Sequence, residues 1–206
     1  MIEIETPNTI IGDVRAFAIG YMFPVDPQSE YVADRHDTRM TMYIGGVNVL
    51  GFVTEMVEPP VHGTLQWNLD EAVEWLDEFA RNSRAEEFPF PNVPGTCLAE
   101  LDENARDFDC EDENEFDCYY DALDDYVWPR SWHHTCDEAV FARLYFRILG
   151  GNVEISWDNR GAEEGVTFDT LTGHALVPLA TFRDVVSRFV AAYLKHWGGY
   201  AWDQSA

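Results

Sequence analysis

The chain has 206 residues, 46% of them hydrophobic and 14% aromatic, with 38 acidic residues against 13 basic ones and a formal charge of −25. Apolar content on that scale excludes a disordered acidic polymer and is enough to bury a sizeable core. The charge disfavours direct contact with DNA or anionic lipid, whose binding needs clustered Lys and Arg.

Twelve of the basic residues are Arg and only Lys195 is Lys. A high-GC genome or a salt-adapted proteome produces the same bias, and either would make the acidity a trait of the host. The opening stretch MIEIETPNTIIGDVRAF begins acidic, without the basic and apolar regions of a secretory signal. No apolar run is long enough to span a membrane. A cytoplasmic location is therefore expected.

In chain order, the first strong pattern is RMTMYIGGVNVLGFV, Arg39 to Val53. Met40, Met42 and Ile44 alternate before a Gly-Gly turn, and Val47 and Val49 alternate after it, which predicts a hairpin buried on one face. The segment NLDEAVEWLDEFARNSR predicts a helix, with Asn68 as N-cap and Glu71 in the capping-box position. Leu69, Val73, Leu76 and Phe79 or Ala80 form its apolar stripe. A second hairpin is predicted in ARLYFRILGGNVEISWDN: Leu144, Phe146 and Ile148 face Val153, Ile155 and Trp157 across a Gly150-Gly151-Asn152 turn. Strands follow around GVTFDTL and HALVPL. A long helix then starts near Thr181, with Phe182, Val185, Val186, Phe189, Val190, Tyr193, Leu194 and Trp197 on one face, and Gly198-Gly199 stops it.

Hairpin then helix, twice, predicts an α+β fold with helices packed on antiparallel sheet. The chain reads as a single domain over 1–206, with two lobes (1–84 and 138–206) separated by an acidic insertion over 85–137. The two lobes share a pattern but little sequence, which favours convergence on a common unit over duplication.

The insertion holds the most unusual stretch, DCEDENEFDCYYDALDD, Asp109 to Asp125. From Glu100 to Asp125 there are thirteen acidic residues and one Arg, nearly half the net charge. A solvated face explains charge alone. It explains less well the interleaved Phe108, Phe116, Tyr119, Tyr120, Leu123, Tyr126 and Trp128; Phe116, Tyr119 or Tyr120, Leu123 and Val127 have a spacing that predicts a helix with one apolar and one acidic side. Such a surface suits a basic protein partner, since charge speeds encounter and aromatic groups anchor contact. The candidate contact residues are Asp109, Glu111, Asp112, Glu113, Glu115, Asp117, Tyr119, Tyr120, Asp121, Asp124 and Asp125.

Other chemistries find less support. No window of the acidic stretch meets the ligand pattern of a calcium loop. Cys97, Cys110, Cys118 and Cys136 lack the close pairing zinc prefers, so buried thiols are the plainer reading, with His133, His134 and Cys136 as the alternative metal or zinc-enzyme site. Acidic surroundings disfavour a reactive thiolate. Phosphate-binding and nucleophile motifs are absent. Glu154 and Asp158 supply carboxylates on the second hairpin, but paired carboxylates are background in this composition. No enzyme activity and no cofactor are expected.

The segment WPRSWHHTCDEAVFARLYFRILGGNVEISWDN, Trp128 to Asn159, resembles small bacterial proteins of the immunity or defence-locus type. That resemblance covers roughly the last 80 residues, implies a binding or inhibitory role and carries over no catalytic residue; the acidic insertion departs from it. Taken together, the expectation is an immunity or inhibitor protein that covers the cationic site of a basic effector such as a nuclease, in one variant by imitating nucleic acid. A structural subunit from a salt-adapted organism, acidic for no partner's sake, is the bland alternative.

Overall fold

The Gly-Gly turns form as the alternation predicts. In the computed structural model, Gly45 and Gly46 have φ of 60° and 91°, and Gly150 and Gly151 have φ of 53° and 84°, the left-handed pairs that two-residue hairpins need. The described residues are 2–3 (backbone only), 9–24, 38–56, 58–132, 140–162 and 164–199.

Twelve strands and four α-helices are described: β1 (Ile2–Glu3), β2 (Thr9–Asp13), β3 (Phe17–Met22), β4 (Arg39–Ile44), β5 (Val47–Asn48), β6 (Phe52–Thr54), β7 (Val61–Gly63), β8 (Leu65–Gln66), α1 (Asp70–Asn82), α2 (Leu98–Ala105), α3 (Glu113–Val127), β9 (Leu144–Leu149), β10 (Asn152–Asp158), β11 (Val166–Phe168), β12 (Thr172–Pro178) and α4 (Leu179–Trp197). They make an α+β fold of three sheets. One runs β2-β3-β4-β5, with β8 also on β4; a second runs β12-β10-β9; the third runs β1-β7-β6-β11. Pairing is antiparallel except between β1 and β7.

The first hairpin ends earlier than its apolar alternation implies. The Asn48 side chain accepts from the backbone N–H of Met42 and of Leu50, so β5 stops after two residues and the chain turns. Val47 is exposed and Val49 buried, and Phe52 enters the third sheet, where β6 pairs with β11 from the far end of the chain. The second hairpin keeps its register, with Phe146 opposite Ile155 and Leu144 opposite Trp157. Its turn is two residues, since Asn152 already pairs with Leu149.

Helix α1 buries Val73, Leu76, Phe79 and Ala80, and Leu69 before it. Asn68 accepts from the N–H of Asp70, but the helix starts at Asp70, so Leu69 rather than Asn68 takes the N-cap position and makes no side-chain capping bond. Helix α4 begins at Leu179, ahead of Thr181, where Leu179 N–H bonds the Gly151 carbonyl and leads off the strand. It ends at the left-handed Gly198.

Packing of α4 goes beyond a single sheet. The Phe182 ring lies 5.2 Å from Phe17 of β3, 5.9 Å from Phe79 of α1 and 6.0 Å from Phe146 of β9. Phe189, further along, meets Tyr21 at 5.6 Å. Tyr193 donates its hydroxyl to the buried Asp70 carboxylate at the start of α1, where the helix N-terminus favours negative charge. One buried cluster thus takes residues from Ile11 to Trp197.

Candidate functional site: an acidic layer on the back of a sheet

Side chains alternate across the β9–β10 hairpin. Phe146 and Ile155 face the main core, so Tyr145, Arg147, Glu154 and Ser156 face the other way. On that second face sits α2. Its N-cap residue, Cys97, makes no side-chain capping bond. Instead the Glu154 carboxylate accepts from Leu98 N–H at 2.7 Å and the Ser156 hydroxyl oxygen from Ala99 N–H at 3.1 Å. Two orphan donors of the first turn are thereby satisfied from the sheet. Arg147 donates to both Glu154 oxygens, at 2.9 and 2.7 Å, neutralising a carboxylate that is only 2% exposed.

Helix α3 packs beside α2 and closes a second, smaller apolar cluster containing Leu98, Ala105, Leu123, Tyr126, Val127 and Tyr145. Its N-terminus is capped by Asp112, which accepts from the N–H groups of Asn114 and Glu115. Tyr119 lies between Phe90 and Phe108, 3.9 Å from each ring. Tyr120 donates to the carbonyls of Arg106 and Phe108, tying down the loop between the two helices. Tyr126 donates to the Glu86 carbonyl. The expected inward residue Phe116 stays 37% exposed, and Tyr126 takes the buried place instead.

Between α2, the end of α3 and the hairpin lies a cleft of about 740 Å3, lined by Asp102, Arg106, Asp124, Trp128, Arg143 and Tyr145 among others. Asp102 is buried and accepts from the Tyr145 hydroxyl at 3.0 Å and Arg106 Nε at 2.9 Å. Burial pushes its carboxyl up, with Arg106 working against the shift. Burial also drives the Tyr145 phenol well above its usual range, and Asp102 adds to this. Arg106 reaches on to Asp124, and Arg160 holds both Asp158 and Glu103. Bonds from Arg160 keep Asp158 below the usual carboxylate range. Among the described residues, every carboxylate lining this cleft is held by a guanidinium.

The outward side of α3 is different. Glu113, Asp117, Asp121 and Asp125 stand four residues apart, all exposed, in an unbroken like-charge ladder. Asp109, Glu111 and Glu115 are exposed beside it. Of the candidate carboxylates, Asp124 alone pairs with an arginine among the described residues. No basic residue occupies the last turn of α3, where the helix dipole disfavours negative charge. Glu113, Asp117, Asp121 and Asp125 thus share one face of α3, Asp112 caps the helix, Asp124 is drawn to Arg106 at the cleft, and Tyr119 and Tyr120 are turned largely to internal use. The sequence reading missed Glu154 and Ser156 as anchors of the layer; their alternation with Ile155 was the available signal. Trp128, one of the aromatics interleaved with the acids but not among the candidate contact residues, is 59% exposed at the end of α3.

His133, His134 and Cys136 lie outside the described residues. Among the described residues no group of three His, Cys, Asp or Glu side chains gathers to hold a metal ion. Cys97 is buried, and burial, ahead of Glu100 and Glu154, pushes its thiol up. Cys110 is half-buried and Cys118 is exposed. No described helix is long and apolar enough to cross a membrane.

No protein family and no curated protein matches the chain. Among solved structures it is similar to CdiI from Burkholderia dolosa AUO158, at 12% identity and a TM-score of 0.46, over 89% of this chain and 99% of that one. A likeness at that identity and score says nothing of what this chain binds.

Proposed function

We propose that the chain is a binding protein of the immunity or inhibitor type, which covers the cationic site of a basic protein effector with the exposed face of α3. One observation carries this reading: a ladder of carboxylates on an N-capped helix, none of them paired with a cation among the described residues. Like charges at i, i+4 destabilise a helix by about 0.2–0.5 kcal/mol per pair. Three such pairs (Glu113–Asp117, Asp117–Asp121 and Asp121–Asp125) set a cost of roughly 1 kcal/mol that a cationic partner relieves. A face kept only for solvation gains nothing from aligning its charges this way. The inhibitor class itself rests on the resemblance of Trp128–Asn159 noted above.

The test begins with capture of the bound protein from the native host and its identification. Association is then measured with the native chain and with a Glu113→Gln, Asp117→Asn, Asp121→Asn, Asp125→Asn variant. Charge steering raises on-rates by about 10–1000-fold and fades with salt. The variant should associate at least tenfold more slowly at low salt, converge with the native chain at high salt, and melt at a higher temperature. Equal on-rates at low salt would reduce α3 to a solvated face.

A further inference from the structure

The β12-β10-β9 sheet treats its two edges differently. On the β9 side, Ser131 bridges Tyr145 and Trp132 N–H bonds the Leu144 carbonyl, so the start of that edge is paired. On the β12 side, no described strand or side chain pairs with the outer edge.

Which groups face outward follows from the register. Asn159 N–H reaches the Leu171 carbonyl and Leu179 N–H reaches the Gly151 carbonyl, so the odd-numbered residues of β12 bond to β10. The N–H and C=O groups of Thr172, His174 and Leu176 therefore point to the open side. Native edges are normally blunted by charged side chains, bulges or short length. This one runs seven residues, TGHALVP, with no Asp, Glu, Lys or Arg. Leu176 is 57% exposed and Leu171, just before the strand, 51% exposed.

The side chains of His174 and Leu176 lie opposite Ser156 and Glu154, on the face that carries α2. Bonds from Thr96, with His174 of β12 adding to them, hold the Glu100 carboxyl below the usual carboxylate range. A strand added to β12 would lie on the side of the first turn of α2, which Glu154 and Ser156 hold, and basic side chains on that face would meet the carboxylate of Glu100 and the net charge of the chain. A second copy of this chain, itself at −25, is repelled from the same place.

We infer that β12 receives an extended, lysine- or arginine-bearing segment of the partner protein by strand addition. Main-chain hydrogen bonds to Thr172, His174 and Leu176 supply affinity, and Glu100 with the net charge of the chain selects a basic sequence. The cationic character of the partner rests on the function proposed above; the strand pairing does not.

The probe is a nine-residue peptide alternating Lys and Val, with a copy N-methylated at every backbone amide. The two carry equal charge, but the methylated one lacks strand-edge donors. Fluorescence anisotropy should show the plain peptide binding at least tenfold more tightly. His174→Pro should abolish that difference, because Pro is tolerated where N–H faces outward on an edge, as Pro178 already does. Neutralising the α3 ladder should weaken both peptides alike and keep their ratio; a ratio kept with no weakening would retain strand addition and remove the charge reading. Equal binding of the two peptides would overturn strand addition. So would a concentration-dependent doubling of mass lost in His174→Pro, which would assign the edge to a second copy.

Discussion

Replacing Glu154 by Gln should loosen the acidic layer from the sheet. Glu154 is 2% exposed and takes three bonds, one from Leu98 N–H and two from Arg147. Removing one partner of a buried ion pair costs about 3–5 kcal/mol, because the other charge is left uncompensated. Gln keeps one carbonyl acceptor but turns an amide donor toward the Arg147 donors, so the lower end, about 3 kcal/mol, is expected. In a chain of this length 1 kcal/mol moves the melting temperature by roughly 2–4 °C, so the expected drop is about 6–12 °C. Thermal melts by circular dichroism and urea titrations read this directly. Limited proteolysis adds a local readout: the Arg106–Asp112 loop should be cut faster in the variant, since Tyr120 holds it only while α3 is docked. Glu100→Gln is the control, an exposed carboxylate that accepts from the N–H and hydroxyl of Thr96 rather than holding α2 to the sheet. A Glu154→Gln loss within about 0.5 kcal/mol, the range of ordinary surface changes, would refute the anchoring role.

Phe189 is fully buried on α4 against Tyr21, so Phe189→Ala should cost about 3–5 kcal/mol in chemical denaturation; near-native stability would mean that face is not core. Burial lowers His196, with a hydrogen bond to the Pro24 backbone opposing it, while its ring stacks on Phe23 at 4.7 Å. The unfolded chain therefore takes up the proton first as pH falls below about 6.5, and stability drains away from there down to the lowered folded value. The melting temperature of the native chain should accordingly fall more steeply than that of His196→Gln between pH 7 and 5; parallel curves would remove His196 from the balance.

Periodicity carried most of the secondary structure. The 3.6-residue stripe of α4 and the glycine-paired turns needed no tertiary information, because both are local consequences of backbone sterics and side-chain direction. Where local signals met a side chain that competes with the ladder, they failed. Asn48 bonding Met42 and Leu50 cut the first hairpin short, and nothing in the apolar alternation of Val47 and Val49 warned of it. The acidic character of α3 was equally legible, since charge is counted from composition.

What the sequence determined by itself was thus the two glycine-turned hairpins, the helices α1 and α4, the acidic helix α3 and the net charge; strands β2 and β3 and helix α2 carried no comparable local signal. Only the tertiary structure decided which partners those elements take. Glu154 looked like one acid among 38, and the sheet made it the cap of a helix 56 residues away in the chain. Tyr119 and Tyr120 looked like anchors for a partner, and packing against Phe90, Phe108 and the Arg106 carbonyl turned them inward. The physical reason is common to both. Local pattern sets which face of an element is apolar or charged, but the closure of buried hydrogen bonds and ion pairs depends on groups far apart in sequence, and only folding brings them within reach.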